Sequence, residues 1–183
     1  MKSKKNKSKK TSNALTISGI ILLVLVTVIY YLFFTGMSKN GEEKYIYIDN
    51  DDTADSVYYK IKPIATAHSA WALRQVGTIL AYDENVRSGR YAIGNEGALQ
   101  TLRNLRNGRQ APIHLTIRSV RTLDDIADDA SKKMSFSKKD FMNAVSNPDT
   151  CAKYGYTPET IMCMFIPNTY DFYWNTGIGE FLQ

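Results

Sequence analysis

Two histidines and two cysteines are the residues of this 183-residue chain best able to ligate a metal or form a covalent bond. His68 and His114 stand far apart and fit neither a metal-ligand nor a triad spacing, so both are expected to be structural or exposed. Cys151 and Cys163 lack a CxxC spacing and a matching histidine pattern, which disfavours zinc. Outside the cytoplasm the pair could form a disulfide. Equally, Cys163 lies in the apolar run IMCMFI and reads as a small buried side chain. Three carboxylates are candidates for proton transfer. Glu159 falls in the first turn of an expected helix and reads as a dipole partner. Asp171 lies within the aromatic run Tyr170, Phe172, Tyr173, Trp174. Glu180 falls on the polar face of the last expected helix.

The elements that must position these residues follow from periodicity and turn chemistry. Lys44–Ile48 reads as a strand, Asp49–Asp52 as a turn, and residues 53–61 as a short helix capped by Asp52 or Thr53. Trp71, Leu73, Val76, Ile79 and Leu80 recur at helical spacing between Ser69 and Asp83. A turn and a second strand fill Asn85–Ile93. Asn95 can cap a helix over Glu96–Asn107 that buries Leu99, Leu102 and Leu105 and stops at Gly108. Ala111–Ser119 alternates as a third strand. From Thr122 the composition shifts to a helix with acids first and lysines last, which suits its dipole. A further helix follows a cap at Ser135 or Ser137, and Thr157-Pro158-Glu159-Thr160 reads as another helix start. Alternation along the aromatic run would put Tyr170, Phe172 and Trp174 on one face. Thr176 can cap a last helix with Ile178, Phe181 and Leu182 as its stripe. The chain stops within that element, so a longer protein is expected.

Ahead of these elements lies Ala14–Phe34, ALTISGIILLVLVTVIYYLFF, which carries no charge. As a helix it matches the roughly 30 Å hydrocarbon core of a bilayer. Thr16, Ser18 and Thr27 can return their hydroxyls to the backbone, and Tyr30 and Tyr31 suit an interface. The run is too long, and too poorly followed by small residues, for a cleaved signal. Residues 1–13 hold six lysines and no acid, which places the N-terminus in the cytoplasm and everything after about Gly36 outside. Setting those six aside leaves 17 Lys+Arg against 18 Asp+Glu. The basic balance therefore belongs to a tail that meets anionic lipid, and no nucleic-acid partner is expected. Residues 35–43, with Gly36 and Gly41, read as a polar linker that lifts the folded part off the membrane.

Two stretches carry a resemblance. The first is Ser88-Gly89-Arg90-Tyr91-Ala92-Ile93, a helix, Asn107-Gly108, and a strand ending Leu115-Thr116-Ile117. The second is Phe165-Ile166-Pro167-Asn168-Thr169-Tyr170. Together with the anchor, the chain resembles the endolytic murein transglycosylases of the MltG/YceG family. Thr116 to Thr122 and Tyr173-Trp174-Asn175-Thr176 are most similar to Bacteroidetes members. The family's Pro-Glu-Gly is replaced by Arg118, Ser119 and Val120, its Glu-Gly by Met162 and Cys163, and its usual Asp by Asn168.

The resemblance implies an α+β fold. Residues 1–13 would be a cytoplasmic tail, 14–34 a transmembrane helix, 35–43 a linker, and 44–119 a LysM-like module. Residues 120–183 would be the truncated start of a mixed α/β catalytic domain. It also implies cleavage of the β-1,4 bond after N-acetylmuramic acid within glycan strands, leaving 1,6-anhydro ends, with no metal and no cofactor. One glutamic acid suffices, because the sugar's own 6-hydroxyl is an attached nucleophile. No residue of this chain matches that glutamate, which is expected downstream of Gln183. Asn168, Thr169 and Tyr170 are the candidate cleft lining, because the family motif falls there. Peptidoglycan strands, membrane lipids and wall-synthesis proteins are the implied partners, at a plasma membrane with the folded part outside. The alternative reading is a non-catalytic anchored glycan-binding module or a scaffold.

Overall fold

Helix α1 runs over Ser3–Phe34, and its segment Thr16–Phe34 has a mean hydropathy of 2.6, long and apolar enough to cross a membrane. Ile20, Leu23 and Val26 are exposed, so none of the described residues covers the middle of this segment as they would a buried core helix. Thr27 donates its hydroxyl to the Leu23 carbonyl at 2.8 Å, which satisfies it without a partner helix. The computed structural model describes residues 3–118 and 122–183. The boundary expected near Val120 lies outside them.

The chain divides into two compact units. The first joins Met1–Lys44, Thr53–Asn85 and Ile93–Arg103; the second joins Tyr45–Asp52, Val86–Ala92 and Asn104–Gln183.

In the first unit, Thr53 caps α2 (Ala54–Ile61), whose Ala54, Val57 and Ile61 are buried at helical spacing. Thr66 caps α3 (Ala67–Ile79). The face of α3 differs from expectation. Ser69, Ala72, Leu73, Val76 and Gly77 are buried, whereas Trp71 and Ile79 are 53% and 80% exposed. Close approach decides this. The Tyr58 ring of α2 lies on Gly77, where a Cβ would clash with its hydroxyl, so small residues set the rotation of α3. The helix also ends earlier than the pattern suggests. Ala81 turns with φ 49°, and a 3-10 turn at Tyr82–Glu84 buries Tyr82 against Tyr58, ring centroids 6.1 Å apart.

Residues 35–43 were expected to form a linker, but much of the segment is paired. Met37 is fully buried; its N–H donates to Glu96 O at 3.0 Å and its carbonyl accepts from Thr66 N at 2.9 Å. Ser38 N–H donates to Gly94 O at 3.0 Å and Lys39 N–H to Ile64 O at 3.1 Å. Those bonds also explain why α4 spans Ala98–Asn107 and not the expected start at Glu96: residues 94–96 bend against this segment and Gly97 bridges to Gly36. A Cβ at Gly97 would sit 2.4 Å from the Phe33 carbonyl oxygen, so glycine lets the end of α1 dock there. Gly108, at φ +68°, ends α4 as expected.

In the second unit, strands β1 (Lys44–Ile48) and β2 (Gly89–Ile93) pair, and β3 (Ile113–Ile117) pairs antiparallel with β4 (Asn168–Phe172). Helices α5 (Leu123–Ser131) and α6 (Lys138–Ser146) start at the caps Thr122 and Ser137. Their Ile126, Ala127, Ala130, Phe141 and Val145 build the core with Leu115, Ile161 and Phe181. The proline-first helix is α7 (Pro148–Ala152), after the cap Asn147, not the segment at Pro158. There the Thr157 N–H donates to Thr160 Oγ1 at 2.9 Å, a local bond that competes with helix, and a 3-10 turn at Ile161–Met164 follows. Short α8 (Ile178–Phe181) is preceded by Gly177 as cap; Thr176, expected there, is buried, its N–H bonded to Tyr173 O. The cysteines are free, and Cys163, read as a small buried side chain, is not the buried one. Cys151 is buried, with its thiol on the Val145 carbonyl at 3.2 Å, and Cys163 is exposed.

Candidate functional site

The β3–β4 ribbon separates two chemistries because strand side chains alternate. Its register sets Leu115 opposite Tyr170, Ile113 opposite Phe172, Thr116 opposite Thr169, and His114 opposite Asp171. One face is therefore apolar and the other polar. This register also answers the aromatic run: Tyr170, Phe172 and Trp174 are half-buried, and Asp171 and Tyr173 are exposed.

On the polar face, His114 Nδ1 meets Asp171 Oδ1 at 2.5 Å, and the Thr116 and Thr169 hydroxyls bond at 3.0 Å. The imidazole and carboxylate are 69% and 65% exposed, so the pair adds little stability. A carboxylate that orients an imidazole is part of a proton relay, but the neighbouring threonines spend their hydroxyls on each other. Asn168 stands opposite Ile117 on the other face, and its side-chain oxygen accepts from the Thr169 N–H at 2.8 Å.

On the apolar face, Ile117, Tyr170 and Phe172 line a groove of about 500 Å³ with Tyr154, Tyr156, Phe165 and Phe181. The Phe172 and Phe181 centroids are 4.7 Å apart, and Tyr170 and Phe172 6.2 Å. The Tyr170 hydroxyl is anchored on Ile166 O at 3.0 Å and that of Tyr154 on Gly179 O at 2.9 Å. Rings fixed at their polar tips present flat apolar faces. Glu180 contributes a carboxylate to this groove. The arrangement suits a ligand with apolar flat faces and polar edges, such as a sugar ring.

Of the three candidate residues, the groove thus includes Tyr170, whereas Asn168 and Thr169 are exposed on the strand outside it. Tyr154, Tyr156, Phe165 and Phe181 were missed. Their signal was faint: Tyr154 and Tyr156 flank Gly155, whose φ of +79° forces a turn that brings both rings to one side. Glu159 lies elsewhere, and the Thr157 hydroxyl, with its own backbone N–H, holds its carboxyl below the ordinary glutamate range. A carboxyl held ionised is a poor proton donor.

A second concavity of about 320 Å³ in the same unit is lined by Tyr45, Tyr47, Arg90, His114, Lys132 and Lys133. The Arg90 guanidinium lies 3.4 Å from the centre of the Tyr45 ring, and Tyr47 packs edge-on to Trp174 at 5.2 Å. Among the described residues, no group of three or more His, Cys, Asp or Glu side chains could hold a metal ion.

Fold and grooves together define a class: an α+β protein with one helix fit to cross a membrane and an aromatic concavity fit for a ligand. A family model described as the YceG-like family matches residues 46–183, and the chain belongs to that family. No curated protein matches it. A crystal structure described as a yceG-like protein, lmo1499, from Listeria monocytogenes is 18% identical over 77% of this chain and 52% of that one, at a TM-score of 0.35. The chain spans about half the length of that protein.

Proposed function

We propose that this chain is the membrane-anchored front part of an endolytic peptidoglycan transglycosylase. The enzyme cleaves the β-1,4 bond after N-acetylmuramic acid within a glycan strand and leaves a 1,6-anhydro end, which stops elongation of a nascent strand. The observation that carries this reading is membership of the YceG-like family across residues 46–183. The tail lysines argue for a cytoplasmic N-terminus, which sets the folded part beside the wall. The order strand, helix, helix, strand over β1, α2, α3 and β2, with β1 and β2 paired, supports a LysM-like module within residues 44–119. The aromatic groove supports stacking on sugar rings, and the basic one supports contact with the carboxylates that peptidoglycan carries.

The chemistry needs one acid. A glutamic acid protonates the leaving glycosidic oxygen, and its carboxylate then takes the proton of the 6-hydroxyl as that oxygen closes on C1. The tethered hydroxyl replaces the water of two-carboxylate glycosidases. We place that glutamic acid after Gln183. Glu159 is held ionised, Asp171 is turned to His114, and Glu180 sits on a four-residue helix at the groove's rim.

Product analysis tests this. Residues 1–183 in vesicles, incubated with purified glycan strands, should retain them without forming new anhydro ends. The same chain continued through its own coding sequence should form them. Anhydro ends made by residues 1–183 and lost in Glu180→Gln would relocate the acid to Glu180. A stop codon after Gln183, or a continuation that binds strands without cutting them, would leave a glycan-binding module in place of an enzyme.

A further inference from the structure

The first unit carries a groove of about 500 Å³ between α2 and α3, remote in sequence from the β3–β4 ribbon and unused by the proposed reaction. Lys39, Lys62, Tyr59, Trp71 and the Asp55–Arg74 pair line it. Tyr59 and Trp71 are 78% and 53% exposed, an unusual investment of aromatic surface in water. Arg74 is paired with Asp55 at 2.8 Å and lies over the Tyr58 ring. The surplus charge of the groove is therefore positive and comes from Lys39 and Lys62.

The end of α1 fixes where this groove stands. Tyr31, within the apolar segment, stacks on His68 of α3 with centroids 4.8 Å apart, and Thr35 reaches the same imidazole at 3.4 Å. The first turn of α3 is therefore level with the last turns of the span. Trp71 follows His68 by three residues, at most about 4.5 Å further along the helix axis, within reach of the roughly 5–7 Å polar layer that flanks the hydrocarbon on each side. Lys39 lies just past that span and is bonded to Pro63 O at 3.1 Å, beside Lys62.

We propose that this groove seats an anionic phospholipid headgroup of the leaflet on the folded side, with Trp71 as interfacial anchor and Lys39 and Lys62 as the phosphate contacts. Tryptophan favours that layer, and lysines near an anionic surface are attracted to it. The groove continues the membrane contact that α1 begins, and its charge is opposite to the headgroup's. Residues 37–39 are bonded to Glu96, Gly94, Ile64 and Thr66, which ties the first unit to the end of α1. The device fixes the tilt of the first unit above the bilayer. The proposal rests on α1 crossing that bilayer.

Single-tryptophan chains in nanodiscs test both statements separately. In Trp174→Phe, Trp71 emission should be blue-shifted and quenched by phospholipids brominated near the glycerol, more strongly as phosphatidylglycerol replaces phosphatidylcholine. Lys39→Gln and Lys62→Gln should each cut the preference for phosphatidylglycerol about fivefold. In a chain with Trp71→Phe, Trp174→Phe and Val24→Trp, quenching by lipids brominated deep in the acyl chain reports the span itself. Deep quenching at position 24 with water-like Trp71 emission, quenched by iodide and not by bromolipid, would overturn the headgroup seat while leaving the anchor intact. So would Trp71 shielding that needs a second copy of the chain or added glycan strands, or quenching indifferent to lipid charge.

Discussion

Ser137 and Asp140 hold the start of α6 through reciprocal bonds. The Asp140 N–H donates to the Ser137 hydroxyl oxygen at 3.2 Å, and the Ser137 N–H donates to the Asp140 carboxylate at 3.1 Å. The Ser137 hydroxyl, and then its N–H, keep the Asp140 carboxyl below the ordinary aspartate range. A folded-state value depressed in this way stabilises the fold above the unfolded value of about 4 and loses that contribution as pH falls through the folded value. Ser137→Ala should lower stability at neutral pH and flatten the acid side of the stability curve, read by urea unfolding across pH. At the groove, Tyr170→Ala should weaken retention of glycan strands about tenfold, whereas Thr169→Ala should leave it within about twofold, measured by strand pull-down on vesicles. Caps such as Thr122, Ser137 and Gly108 were legible in the sequence because each is decided by bonds to residues within one turn. Cys163 was not, because its burial depends on which side of a 3-10 turn faces the core.

Helices and strands pack here through a few close approaches. Phe141 is fully buried, with the Phe165 and Phe181 rings 5.8 and 6.0 Å away. Phe141→Ala should cost about 3–5 kcal/mol and unfold the second unit at lower temperature, read by thermal melts in detergent. Gly97→Ala should push a methyl into the Phe33 carbonyl and loosen residues 35–43, costing about 1–3 kcal/mol and exposing that segment to protease. Element identity was largely legible: the strand at 44–48, the alternation within 111–119, and the apolar helix all follow from period alone. The rotation of α3 was not. Its largest apolar side chains, Trp71 and Ile79, are outside because Gly77 and Ala72 permit the closer approach of α2. The groove was half legible for the same reason. Tyr170 follows from strand alternation, but Tyr154, Tyr156 and Phe181 arrive from other segments that only tertiary packing brings together. His114 and Asp171, 57 positions apart, meet through strand register alone.

At the scale of the whole molecule, one helix and one direction govern everything proposed. In the proposed reading α1 crosses the bilayer with its lysines inside and the folded chain lies outside, and a headgroup seat would hold the first unit at a fixed tilt. In that reading the aromatic groove would meet glycan only on the outer side. The most direct test is a reporter fused after Ser38, scored with alkaline phosphatase and with a cytosol-dependent fluorophore in parallel. Phosphatase activity without fluorescence is the predicted result. Fluorescence without phosphatase activity would place the folded chain in the cytosol, out of reach of wall polymers, and contradict the account.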